Sequence, residues 1–246
     1  MKDQYFGDII DYKKYSLIKL LTGNGKLKTT ICWMMTNNDD GSKGGKTGYL
    51  KQPEIWRDYD PIIFEHLKKS LLGRKVRKVQ VIQKGNILRN CSFFNEILRD
   101  SSESRATYFE KFFKLAKGSD LVFFDPDNGL SVKSVKIGNK GSSKYISRAE
   151  IETAYTAGYS VLIYQHFPRV CPSKFISDSI KTFTSFNFVK HIISLKIANV
   201  VFLLLPQKLH EHRLFANIEN ITSIWKDLVQ IKIFEVAKKK ITPPKE

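Results

Sequence analysis

The sequence predicts an α/β fold: a Rossmann-like, mostly parallel sheet with helices on both faces and an antiparallel hairpin at its C-terminal end. Three observations predict it. Short apolar runs alternate along the chain with segments of helical periodicity, the pattern of parallel strands joined by crossover helices. The run Leu121-Val122-Phe123-Phe124 has no polar face, as a strand covered on both sides requires. The last two apolar runs, 188–195 and 199–205, are separated only by a short turn around Lys196-Ile197. That gap is too short for a crossover helix, so the two runs pair antiparallel.

The elements follow in order. Residues 8–21 read as a helix with an apolar face of Ile9, Ile10, Tyr12, Leu17, Ile18, Leu20 and Leu21, ended by Gly23. Residues 29–35 are β-branched and apolar, a buried strand, and the glycine-rich stretch 36–48 is a loop. Asp60-Pro61 opens a helix to about residue 72, and 76–82 alternates like a strand. A helix over about 103–117 carries Tyr108, Phe109, Phe112, Phe113 and Leu115 and stops at Gly118. Ser147 caps a helix to about 157, with Glu150 at the capping-box position. Strand 160–164 ends at Gln165-His166, a helix lies near 173–184, and a last helix lies near 209–229.

A chain of 246 residues, 42% hydrophobic, suits one globular domain, here placed at 1–237, with a basic, flexible tail at 238–246. No apolar run reaches the roughly 18 residues of a membrane span. The opening Met1-Lys2-Asp3-Gln4-Tyr5 lacks the build of a signal peptide. Cys32, Cys91 and Cys171 are few, scattered and odd in number, which points to reduced thiols in the cytoplasm and against a disulfide framework or zinc site. The formal net charge is +17, with clusters at Arg74-Lys75-Val76-Arg77-Lys78 and Lys238-Lys239-Lys240. A nucleic acid, DNA or RNA, is the partner such a charge fits, through release of its counterions; the plainer reading is a lysine-rich surface that only keeps the protein in solution.

Ligands of open α/β sheets collect beyond the carboxyl ends of the strands. Three polar loops fall there: 36–48, 125–144 and 165–169. They offer Asp39, Asp40, Asp125, Asp127, Asn128, Lys140, Lys144, Gln165, His166 and Arg169. Asp125-Pro126-Asp127-Asn128-Gly129 reads in two ways. It is a good turn, since Pro126 fixes φ and Asn128-Gly129 favours positive φ. It also carries two carboxylates beside four apolar strand residues, where partial desolvation raises the proton affinity of Asp125 and makes it a base or polar anchor. Asp125 and Asp127, with Asn128 as a neutral oxygen ligand, also form a conceivable divalent-metal site. Gln165-His166 follows the neighbouring strand in the same way. Lys144 suits a phosphate or one of these acids, or is simply a solvated lysine near a helix start.

A hairpin ending such a sheet is usual for the class I methyltransferase version of the Rossmann-like fold. The order of features resembles one family of it, the bacterial large-subunit ribosomal RNA adenine-N6 methyltransferases of the J type. That family opens on a helix with an Asn-x-x-Asp-x-x-Lys-His-like segment, and this chain has Gly7-Asp8-Ile9-Ile10-Asp11-Tyr12-Lys13-Lys14-Tyr15. Its Gly-Glu-Tyr-Leu and nearby Ile-Trp are similar to Gly48-Tyr49-Leu50 and Ile55-Trp56, and Asp125-Pro126-Asp127-Asn128 stands in place of its Asp-Pro-Pro-Tyr. The resemblance implies S-adenosylmethionine as cofactor, bound by Asp11, Lys14, Thr36, Asp39, Asp40 and Gly41. It implies catalytic work by Asp125, with Asn128 and Gln165 reading the edge of the base and Asp127, His166 and Lys144 nearby. Two places depart from the family. The loop after the first strand lacks a Gly-x-Gly turn, and the tetrad has lost its second proline and aromatic ring, which in the family stacks on the base. An alternative reading takes Asp125 and Asp127, helped by Asp39 or Asp40, as Mg²⁺ ligands of a nuclease or other phosphodiester hydrolase. Lys144 or His166 then steadies the phosphate.

Overall fold

The structure, a computed structural model, describes residues 1–38, 45–167, 171–184, 186 and 189–236. The predicted basic tail, with Lys238-Lys239-Lys240, lies outside the described residues.

Helix α1 (Ile9–Leu21) starts where the Asp8 carboxylate accepts the orphan N–H groups of Ile10 and Asp11, each at 2.9 Å. Strand β1 (Thr29–Cys32) follows. Two short helices, α2 (Pro53–Trp56) and α3 (Pro61–Lys68), come next; Asp60 caps α3 through the Ile63 N–H and takes the Lys19 ammonium at 2.9 Å. A single π-helical turn at Lys69–Gly73 extends α3. The stretch 76–82 is not a strand. Val79 and Ile82, three apart and both buried, belong to a helical turn at α4 (Gln80–Lys84), while Val76 is exposed. The edge strand is β2 (Cys91–Phe94) instead, a half-buried run preceded by Asn86 and Asn90 in left-handed conformations.

Helix α5 (Ser102–Ala116) leads into β3 (Leu121–Phe124). The 125–144 loop is pinned at both ends by the two-residue pair β4 (Gly129–Leu130) and β5 (Tyr145–Ile146), which run parallel. In α6 (Arg148–Thr156) both hydrogen bonds of the Ser147–Glu150 capping box are present. Then come β6 (Ser160–His166), α7 (Pro172–Phe183), β7 (His191–Ile197), β8 (Val200–Leu205) and α8 (Lys208–Trp225). A final strand, β9 (Gln230–Glu235), pairs with β7 at the sheet's edge, where no strand was expected.

The large sheet has seven strands among the described residues, in the order β2-β1-β3-β6-β8-β7-β9. The first four run parallel; β8 is antiparallel to β6, β7 to β8, and β9 to β7. This is a Rossmann-like α/β sheet ending in the antiparallel hairpin the short β7–β8 turn dictates. Strand pleating divides the core in two. Leu121, Phe123, Leu162 and Tyr164 pack on one face with residues of α1, α3 and α8; Val122, Phe124, Val161 and Ile163 pack on the other with α5, α6 and α7. Both faces being covered explains why the middle strands have no polar side. No helix among the described residues is long and apolar enough to cross a membrane.

Candidate active site at the strand-order switch

From β1 the chain moves to β2 on one side and to β3 on the other, so strand order reverses between β1 and β3. At such a switch the two connections diverge and leave a crevice beyond the carboxyl ends. The segment after β1 (Trp33 to Thr36) and the segment after β3 (Asp125 to Asn128) meet there.

Pleating decides what each side chain meets. Asp125 shares the face of Leu121 and Phe123, toward α1. On α1, Asp11, Lys14 and Tyr15 lie on one stripe by their spacing of three and four. The result is a buried network. Lys14 Nζ donates to Asp125 Oδ2 at 2.8 Å and to Asp11 Oδ1 at 3.0 Å, and sits 4.6 Å from the centre of the Tyr164 ring. Asp11 Oδ2 accepts from the Tyr15 hydroxyl and the Gly7 N–H, both at 3.0 Å. Lys14 is 3% and Asp125 2% exposed, so their attraction is little screened by water. Burial works against the Lys14 charge, but Asp11 and Asp125 outweigh it and raise its pKa. Burial raises the Asp125 pKa, with Lys14 and the α-ammonium of Met1 pulling the other way.

Beside this pair is a cradle of oxygens. The carbonyl of Met34 at 3.1 Å, the carbonyl of Asp125 at 3.1 Å and Asp127 Oδ1 at 2.8 Å converge on the α-ammonium of Met1. Thr36 donates its hydroxyl to Asp127 Oδ2 at 2.5 Å, and its N–H to the Met1 carbonyl at 3.0 Å. Burial works to raise the Asp127 pKa, but the adjacent ammonium and these hydrogen bonds outweigh it and hold the carboxyl below its ordinary value. Met34 is buried at φ +45°. A left-handed non-glycine residue costs on the order of 1–3 kcal/mol, and here it turns the Met34 carbonyl into the cradle. The sequence lacks a Gly-x-Gly turn at this point, and Met34 makes a left-handed bend in its place.

The structure thus brings Asp11, Lys14, Thr36, Asp125 and Asp127 together. Asn128, which follows Asp127, is exposed beside this network, at what we call the mouth of the site, its N–H bonded to the Lys144 carbonyl at 2.9 Å. Lys144 therefore fixes the loop by its backbone. His166 is exposed, with its Nε2 2.8 Å from the Tyr164 hydroxyl; desolvation first, then the Lys14 charge, lower its pKa. Gln165 has a different place from the base-reading one expected. It is 3% exposed, and its Oε1 accepts the Leu130 N–H at 2.6 Å. Its Nε2 donates to the Asn128 carbonyl at 3.1 Å and to the His166 carbonyl. With both ends of its amide engaged, it clamps the loop. Gly129, at φ +97°, makes room for it: a Cβ there would lie 2.1 Å from Gln165 Oε1. Asp39, Asp40, Gly41 and Arg169 lie outside the described residues.

Sequence reasoning missed Met1, Met34, Tyr164 and Arg105. Apolar residues give no sign that their backbone oxygens will be used. Arg105, on α5, is buried and holds the far side of the 125–144 loop. Its guanidinium meets both Glu150 oxygens, at 2.5 and 2.8 Å, and the carbonyls of Ser142 and Tyr145, at 3.1 and 2.7 Å. As for metal, Asp125 and Asp127 each face a protein cation. Among the described residues no group of three or more His, Cys, Asp or Glu is placed to hold an ion.

No known protein family and no curated protein matches the chain. Among solved structures, a protein of Legionella pneumophila str. Philadelphia 1 described by the family model DUF519 superposes with a TM-score of 0.43 at 12% identity. The superposition covers 95% of this chain and 98% of that one. That likeness is too distant to bear on function.

Proposed function

We propose that this chain is a methyltransferase-like enzyme that uses S-adenosylmethionine and acts on nucleic acid in the cytoplasm, as a divergent relative of the J-type ribosomal RNA adenine-N6 methyltransferases. One observation carries the reading: at the strand-order switch the carbonyls of Met34 and Asp125 and the Asp127 carboxylate converge within 3.1 Å of one point, a set of acceptors suited to a primary ammonium. S-adenosylmethionine carries such an α-ammonium, so this acceptor set fits its amino-acid end, and the cofactor's ammonium would stand where the Met1 ammonium stands here. When bound, it supplies an electrophilic methyl group on a sulfonium.

The chain's own residues divide the remaining work. Met34, Asp125 and Asp127 hold the ammonium through two carbonyls and one carboxylate. Thr36 orients the Asp127 carboxylate. Lys14 keeps Asp125 fixed, while the raised proton affinity of that carboxyl suits it to accept a proton from an incoming amino group. Asn128 and His166 stand at the mouth, where a nucleobase would enter. The tetrad aromatic is missing; the Tyr164 ring, over which the Lys14 partner of Asp125 sits, stands perpendicular to the His166 ring at 5.2 Å. The magnesium-hydrolase reading would need Lys14 and the Met1 ammonium to leave both acids, and no observation favours it.

The test is transfer of labelled methyl from S-adenosylmethionine to total nucleic acid. Asp125→Asn, which keeps an acceptor for Lys14, is expected to lower the rate by about 10²-fold or more. Transfer by Asp125→Asn at the rate of the unmodified protein would remove Asp125 from the chemistry.

A further inference from the structure

We infer that the loop Arg74-Lys75-Val76-Arg77-Lys78, together with Lys46, is a phosphate-binding rim that guides a single strand of nucleic acid to the mouth at Asn128 and His166. This deepens the reading above and takes from it only the direction of the strand.

Hydrogen bonds join the loop to the site. From the cradle at Met1 the N-terminal segment runs outward. Asp3 Oδ1 accepts the Val79 N–H at 2.9 Å, and the Gln4 carbonyl accepts from Arg77 at 2.9 Å. The Arg77 guanidinium also lies 3.7 Å from where a Cβ on Gly45 would stand. Next to Gly45, the Lys46 carbonyl accepts the Ile9 N–H at 3.1 Å, and the Lys46 charge helps to lower the His166 pKa. The loop and Lys46 therefore border the N-terminal segment that leads to the cradle.

The rim's cations are available. Among the described residues, Lys46, Arg74, Lys75 and Lys78 are exposed and meet no carboxylate within ion-pair distance. They are also held in place. The π-helical turn Lys69–Gly73 closes with Arg74 N–H on the Lys69 carbonyl, Val76 N–H bonds the Ser70 carbonyl, and Lys75 sits at φ +55°. A π turn followed by a left-handed non-glycine residue is local strain of the kind kept at functional positions. Burial favours a single strand. Asp125 is 2% exposed, so a base must leave its stack to reach it, which costs least from a single strand. The strand's phosphates then run along the border outside.

Charge alone does not choose this surface, because Lys114 and Lys117 are exposed near the opposite, amino-terminal end of β3. The experiment compares two double reversals, Lys75→Glu/Lys78→Glu and Lys114→Glu/Lys117→Glu, by fluorescence anisotropy with a labelled single-stranded oligonucleotide of about 20 residues, as RNA and as DNA, and with its duplex. The first variant is expected to bind at least one single strand about tenfold or more weakly, with the slope of log K against log salt reduced by about 1.4 for two lost phosphate contacts. The second is expected to bind as the unmodified protein does. Equal losses in the two variants, no loss in the first, tighter binding of the duplex, or no binding by the unmodified protein would each overturn the inference. Titration of S-adenosylmethionine into the same proteins separates the two claims. Cofactor binding with an inert rim leaves the proposed function standing, and a working rim without cofactor binding leaves the rim.

Discussion

Removing the Asp125 carboxylate leaves the Lys14 ammonium with Asp11 as its one carboxylate partner in a place that excludes water. Breaking a buried pair by deleting one partner typically costs about 3–5 kcal/mol, and the remaining Asp11 contact puts Asp125→Ala at the lower end, about 3 kcal/mol. Asp125→Asn keeps a hydrogen-bond acceptor and is expected to lose less. Urea unfolding of the two variants checks the order. Asp8 gives a second prediction at this scale. Burial, then the neighbouring Asp11 carboxylate, pushes its pKa up to about 6 from 3.8. The folded state therefore holds this proton more tightly than the unfolded chain. Its contribution to stability is present below the unfolded pKa and is lost as pH rises through about 6. Asp8→Asn keeps a cap acceptor for α1 without the titration, so the slope of unfolding free energy against pH between about 4 and 6 should become flatter. An unchanged slope would show that Asp8 does not carry it.

The loop between β3 and α6 is held from three sides. Gln165 clamps its start, the Lys144 carbonyl takes the Asn128 N–H, and Arg105 ties down its end. Gly129→Ala puts a Cβ against the Gln165 amide at a left-handed position, and is expected to destabilise by about 1–3 kcal/mol. Combining it with Gln165→Ala should cost less than the sum of the two single changes, because the second removes the atom struck by the first. Strict additivity in denaturant melts would mean that the clamp is not where the clash lies. At this scale the chain was readable wherever one signal dominated: Asp60-Pro61 and Ser147 announce helix starts, and Leu121 to Phe124 can only be a buried strand. It misled where signals competed. Val79 and Ile82 fit a strand's alternation as well as a helical turn's spacing. Cys91-Ser92-Phe93-Phe94 is too short and too polar at its edges to stand out, and β9 is mostly exposed, so its alternation carries little apolar contrast.

Across the whole molecule, a mostly parallel sheet closed by a hairpin could be anticipated from the alternation of elements and the short β7–β8 connection, whereas its order, with β2 and β9 at the edges, could not. That order puts the ends of β1 and β3 side by side without any help from side chains. The identity of the acids at the site was legible as position. What was not legible is their company. Lys14 is 111 residues from Asp125 in sequence, and only pleating and the docking of α1 make them neighbours. The Met34 and Asp125 carbonyls belong to the backbone and leave no residue signature. The central claim is that these oxygens, with Asp127, receive the amino-acid end of S-adenosylmethionine, and isothermal calorimetry tests it most directly. The unmodified protein should bind S-adenosylmethionine at one site, and Asp127→Asn should bind it about tenfold or more weakly. No heat of binding with the unmodified protein, or equal affinity in Asp127→Asn, would contradict the claim.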